Sequence, residues 1–335
     1  MELLNLEMLN AGPLLADLRV KMQAFDLSEA VYLNRLVKDD STNPLPTKPY
    51  NNTLGINKLA LPGILHLLGI RSLTLNSQFD LANLAGLRVE IPAGVNERFL
   101  WRFLRNDTVI KELRLLFQAC RIIAFDDWSR LAGASDLWDG LLRDVLKPIG
   151  MKEFEFIFYL GDPDNKLFFQ VDEALDIISD FSRYGKVTFT LDESEAIKLW
   201  KVLNGVHSNA PFKNQPFPDL KRKYLSIFRT MNITRLLIYS TTAAILISNQ
   251  EQFGLARQKV ATSLEMAADA RQYFVEGFSM GLMLHLDLAT CLLLGLIVLG
   301  SQGEQGTQPD QNALTSYINR WIEDLQKPET MYLYQ

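Results

Sequence analysis

Residues 279–300, SMGLMLHLDLATCLLLGLIVLG, are the longest apolar run in the chain, and their setting decides how the remainder is read. Roughly 20 apolar residues at 1.5 Å rise cover ~30 Å, the hydrocarbon thickness of a bilayer. Asp287 would then sit near the membrane centre at a cost of about 3 kcal/mol, with His285 close by. Between Arg271 and Arg320 there is no Lys or Arg to orient such a span. The run is therefore expected as a helix, or a helix plus a strand, inside a protein core, with membrane contact as the alternative. A segment apolar on every side needs neighbours on every side, so the chain must pack around it.

The run begins inside Gly277-Phe278-Ser279-Met280-Gly281, the Gly-x-Ser-x-Gly pattern of a nucleophile elbow. With Gln272 to Glu276 as a short strand, Leu282 to Leu293 as a helix and Gly295 to Gly300 as the next strand, the stretch resembles part of an α/β-hydrolase. That resemblance covers about 30 residues and implies Ser279 as the nucleophile, followed in the chain by an acid and then a histidine. His285 is the only later histidine, and residues 301–335 hold none. The competing reading of the same five residues is a closely packed helix whose small side chains let backbones approach.

Upstream, Phe253, Ala256, Val260, Leu264, Ala267 and Phe274 are spaced as one face of an amphipathic helix. Arg235 to Asn249, RLLIYSTTAAILISN, is apolar, rich in β-branched residues and too short to span a bilayer, so a buried strand or hairpin is expected. Lys221-Arg222-Lys223 with Tyr224 is the dense basic cluster of the chain, read as a solvated first helical turn or as a docking patch for an acidic partner or lipid headgroups. After the run, residues 303–311 are a polar loop, and Ala313 to Gln326 reads as a last amphipathic helix stopped ahead of Pro328.

The first half is mixed. Residues 13–38 have helical spacing with a break near Asp26, and residues 39–55 hold three prolines that end it. Arg71 to Asn76 and Arg88 to Pro92 look strand-like, and residues 95–147 mainly helical, including Asp107 to Phe125. In Glu153 to Leu160 the residues Phe154, Phe156, Phe158 and Leu160 alternate as a strand does. Gly161 to Asn165 supplies a turn, Lys166 to Val171 a second strand, and Asp172 caps a helix to Arg183. Val187, Phe189 and Leu191 make a third strand, and Asp192 with Glu195 forms a capping box ahead of a helix closed by Gly205.

Composition narrows the classes. With 335 residues, 48% hydrophobic content and a net charge of -5, the chain has a real core and no general basic surface for nucleic acid. Cys120 and Cys291 lie far apart in apolar surroundings and read as buried side chains in a reducing compartment. Glu2 and Glu7 stand where a signal peptide would be basic. His66, His207 and His285 have no zinc-ligand spacing, and Asp126-Asp127, adjacent on the chain, do not face one another as a catalytic pair.

The expectation is an α+β fold: a helix-rich N-terminal region with a β-β-α-β-α unit, and a second lobe around a buried apolar helical core. Its parts are N-terminal helices (1–38), a Pro-rich connection (39–56), the helical region with the mixed unit (57–206), a Pro-rich linker (207–220) and a C-terminal lobe (221–335) built on residues 279–300. The expected function is a non-enzymatic interaction or assembly subunit of the cytoplasm, with protein partners or self-association and no cofactor, metal or nucleic acid. The alternatives are a membrane-associated effector using residues 233–300 and a serine hydrolase using Ser279.

Overall fold

The computed structural model describes residues 7–24, 56–75, 79, 84, 86–92, 95–96, 99–125, 128–131, 133–150, 153–206, 217–240, 242–257, 270–305 and 310–326. In chain order they form β1 (Glu7–Met8), α1 (Ala11–Ala24), β2 (Ile56–Ala60), α2 (Leu61–Leu67), β3 (Ile70–Leu75), β4 (Arg88–Pro92), α3 (Trp101–Leu104), α4 (Asp107–Ala119), β5 (Cys120–Phe125) and α5 (Ala134–Leu141). There follow β6 (Phe154–Tyr159), α6 (Phe168–Asp180), β7 (Gly185–Asp192), α7 (Glu193–Leu203), α8 (Phe217–Thr230), β8 (Arg235–Tyr239), β9 (Ala243–Ser248), β10 (Gln252–Ala256), α9 (Ala270–Met283), α10 (Leu288–Gln305) and α11 (Gln311–Gln326). Eight strands hydrogen-bond in the order β1-β10-β9-β8-β7-β6-β5-β3, and β2 pairs separately with β4, so the fold is mixed α/β. The chain divides into two compact units, residues 31–237 and residues 1–30 with 238–335.

Within the unit of residues 31–237, β5, β6 and β7 run parallel, Ile123 facing Phe156 and Phe158 facing Phe189. Parallel neighbours need a crossover, and α5 and α6 supply the two. Phe154, Phe156 and Phe158 share a face as their alternation predicts. Phe125 stacks on Phe158 at 4.4 Å, while Phe181 and Trp138 meet Phe158 edge-on at 4.8 and 5.1 Å. Offset and edge-to-face contacts of this kind add to the area that the rings bury. On the opposite face Arg235 makes a two-pronged ion pair with Glu155 at 2.8 and 3.2 Å and also donates to Thr188.

Several expectations are corrected here. Lys166 to Val171 is a turn and the start of α6 rather than a strand, so the unit is β-α-β-α and not β-β-α-β-α. The reason is that Val171, Ala174, Leu175 and Ile178 recur at three and four and carry that segment into the core as a helix, while Leu167, Phe168 and Phe169 stay exposed. Helix α4 ends at Ala119 instead of running to Phe125, because CRIIAF is a strand, parallel to β6 and antiparallel to β3, buried nearly throughout, a pattern periodicity does not separate from a buried helix. The capping box holds: Glu195 N–H donates to Asp192 at 2.8 Å and Asp192 N–H to Glu195 at 3.1 Å.

In the unit of residues 1–30 with 238–335, β1 runs parallel to β10 and β10 antiparallel to β9. The expected helix from Phe253 to Phe274 is replaced at its start by β10, and Arg235 to Ser248 is strand as read, turning where Ser240 N–H meets the Ala243 carbonyl at 2.7 Å. The apolar run is not one element: it is the end of α9, a turn at residues 284–287 in which His285 and Asp287 are exposed, and most of α10, buried from Thr290 to Gly300. Asp287 breaks it by capping α10, accepting Thr290 N–H at 2.9 Å and Thr290 O–H at 2.7 Å. Among the described residues no helix is long and apolar enough to cross a membrane. The second expected N-terminal helix, the Pro-rich segment 39–55, His207 and Asp126-Asp127 lie outside the described residues.

Candidate functional site

In an open α/β sheet the carboxyl ends of the parallel strands are where ligands meet loops, and here that edge gathers the polar side chains of the larger unit. Two residues past the end of β6 comes Gly161, whose φ of 79° turns the chain into a short 3-10 turn over Pro163–Asn165, capped by Asp162 accepting Asp164 N–H at 3.0 Å. Strand β7 ends in Asp192, which starts α7, and one turn into that helix Lys198 reaches back to β6's loop. Its ammonium lies 2.5 Å from Asp162 Oδ2 and 3.4 Å from Asp164 Oδ2. Burial pulls the Lys198 pKa down, but the hydrogen bonds and charges of the two aspartates outweigh it and hold the group above its ordinary value, fully protonated at neutral pH.

Behind this pair stands a buried network. The Tyr159 hydroxyl donates to Glu195 Oε1, Glu195 Oε2 takes Asp192 N–H, and Thr190 donates to the Phe158 carbonyl at 2.8 Å. From β5's end, Ser129 N–H donates to the Leu160 carbonyl at 2.9 Å, and the Lys166 ammonium lies 5.4 Å above the Trp128 ring. The loops after β5, β6 and β7 thus meet, carrying the Asp162 and Asp164 carboxylates and the Lys198 ammonium between them. The sequence showed Asp192 and Glu195 as a cap and Gly161 to Asn165 as a turn. That these groups share one edge depends on parallel strand order, for which no local signal exists.

The residues singled out from the sequence fall elsewhere. Ser279 lies within α9, without the strand and sharp turn of a nucleophile elbow. Its Oγ is buried and has no hydrogen-bond partner among the described residues, so none of them activates it as a base. His285 sits in the turn after α9 at φ 56°. Gly277 and Gly281 are explained by packing, since a Cβ on either would come within 3 Å of α10. In α8, Arg222 is exposed and paired with Asp219, Lys221 is half-buried, and Lys223 lies 4.7 Å above the Trp200 ring. Tyr224 is buried at 2% exposure, so it is no part of a surface patch. Burial first, and then its bond to Glu193, push the Tyr224 phenol well up. Among the described residues no three His, Cys, Asp or Glu side chains are grouped to hold a metal ion.

No protein-family model and no curated protein matches the chain. Solved structures do resemble it. A ribokinase from Thermotoga maritima is 13% identical, over 70% of this chain and 66% of that one, at a TM-score of 0.44. An adenosine kinase from Trypanosoma brucei brucei is 11% identical over 66% and 61%, at 0.45. An Arabidopsis thaliana ribokinase complexed with ribose and ATP is 11% identical over 73% and 67%, at 0.44. The chain spans less than two thirds of the length of the first two. These structures carry the names of kinases, where the expectation was a non-enzymatic assembly subunit. The hydrolase alternative falls with Ser279's place in mid-helix.

Proposed function

We propose that the chain is a small-molecule enzyme working at the carboxyl ends of β5, β6 and β7, and that it transfers a phosphoryl group to a hydroxyl of a sugar or nucleoside. The observation that carries the site is the Lys198 ammonium held between Asp162 and Asp164 at the mouth of the parallel strands, backed by the buried Tyr159–Glu195–Asp192 network. Carboxylates in that position accept a substrate hydroxyl proton, and a permanently charged ammonium offsets developing negative charge. The reaction class is the one named by the ribokinases and adenosine kinase above, and so it is the first to test. Phosphoryl transfer draws on a nucleoside triphosphate and a divalent cation. The described residues do not make a metal site of their own, and the sequence has no glycine-rich phosphate loop, so the three side chains are assigned only to the substrate. Two buried cysteines suit a reducing compartment, and we place the enzyme in the cytoplasm.

The test is phosphoryl transfer from ATP with magnesium to a panel of pentoses, hexoses and nucleosides, followed by product mass. Wild type should turn over at least one acceptor, and Lys198→Met and Asp162→Asn should lower kcat/KM by roughly a hundredfold. A folded wild type that phosphorylates none of them overturns the proposal.

A further inference from the structure

We infer that Tyr159 and Glu195 are positioning residues for the carboxyl-edge site, holding the first turn of α7 against the end of β6 so that Lys198 falls between Asp162 and Asp164. The catalytic meaning of that position rests on the reading above. Two bonds join the same two segments. The inner one runs from the Tyr159 hydroxyl to Glu195 Oε1, the outer one from the Lys198 ammonium to Asp162 Oδ2 at 2.5 Å, and each spans 36 residues of chain. Their ends therefore stand equally spaced on both sides. Along α7 the spacing is close to one helical turn, and on the other side it is the short stretch that Gly161 bends at a φ of 79°.

The two bonds differ in their surroundings. The Lys198 and Asp162 side chains are 27% and 39% exposed. An ion pair that wet holds little by itself, because two mobile side chains must be ordered against a screened attraction. Tyr159 and Glu195 are 6% and 2% exposed. A carboxylate so deep must be satisfied where it stands, and Glu195 is. One oxygen takes the Tyr159 hydroxyl and the other Asp192 N–H at 3.1 Å, while Glu195 N–H donates to Asp192 Oδ1 at 2.8 Å. Burial thus fixes the inner bond, and the inner bond delivers Lys198, one turn on, already aimed at the loop after β6. The ordering that the outer pair cannot supply is met in advance, as a preorganised charge requires. Both residues of the inner bond are buried behind the mouth, so they act through Lys198 and not on a substrate.

The test is competitive labelling of the folded protein with acetic anhydride at neutral pH, read lysine by lysine by mass spectrometry, with exposed Lys147 as internal reference. Only a neutral amine reacts, so each pKa unit by which neighbouring carboxylates hold an ammonium slows its labelling about tenfold. In wild type Lys198 should label roughly threefold more slowly than Lys147. In Tyr159→Phe and in Glu195→Gln that protection should be lost, as it is in Asp162→Asn, which removes the outer bond directly. Leu175→Ala, a buried change on α6, should lower the melting temperature and leave Lys198 protected. A wild-type Lys198 as reactive as Lys147, protection that persists in both folded variants, or an equal loss in Leu175→Ala overturns the positioning role. Loss of protection in both variants, with no phosphoryl transfer by wild type, upholds the positioning role and overturns only the reaction assigned to the site.

Discussion

A Cβ placed on Gly281 would stand 2.8 Å from both the Cα and the Sγ of Cys291, so α9 and α10 meet there backbone to backbone. One turn earlier, a Cβ on Gly277 would lie 2.6 Å from the Leu294 carbonyl oxygen. Glycines four residues apart on one face explain the pattern that looked like a nucleophile elbow. Gly281→Leu should therefore lower stability by about 3 kcal/mol through overpacking, read from the denaturant midpoint at constant slope. A variant as stable as wild type would show that the helices are not in contact at this point.

The Ser279 hydroxyl, between those glycines, is buried and has no hydrogen-bond partner among the described residues. A donor in that state costs its desolvation and returns nothing, so Ser279→Ala should be neutral or stabilising by up to ~1 kcal/mol. A fluorophosphonate probe should leave Ser279 unlabelled, and stoichiometric labelling would refute its place in the helix contact.

Arg235 and Glu155 form an ion pair with side chains only 6% and 14% exposed. Removing one partner strands the other charge, and Arg235→Met alone should cost about 3 kcal/mol. The double variant with Glu155→Met should recover most of that loss. Equal and additive costs in the double-mutant cycle would mean that the two charges act independently.

Asp287 is pushed up by burial, but the Thr290 N–H and O–H and the charge of Lys21 together hold its carboxyl below the ordinary 3.8. A depressed carboxylate contributes stability above its unfolded value and loses it as pH falls through the folded one. Asp287→Ala should cost about 1 kcal/mol at pH 7, as loss of a helix cap does. The gap to wild type should narrow in acid below the ordinary carboxylate range. A gap that does not change with pH would show that the charge plays no part in the cap.

Much of the candidate edge was visible as parts. Asp192 and Glu195 announce a capping box within four residues of chain, and Gly161 to Asn165 announces a turn. Their meeting through Lys198, 36 residues beyond Asp162, was not visible. The hairpin expected at Lys166 to Val171 hid it, because pairing β6 with its nearest neighbour in sequence would have sent the loop to another edge.

By itself the sequence determined the Phe154–Phe156–Phe158 face, the caps at Asp192 and Glu195, and the strand character of Arg235 to Ser248. Each depends on interactions within one turn of helix or one strand, so its signal lies in a short window of residues. Only the tertiary structure decided that CRIIAF is a strand, that β5, β6 and β7 run parallel, and that Asp287 splits the apolar run in two. A strand buried on both faces loses the alternation that would identify it, and parallel pairing joins segments separated by a crossover helix. The free energy that settles such contacts comes from packing the elements together, and it is not present in any one of them.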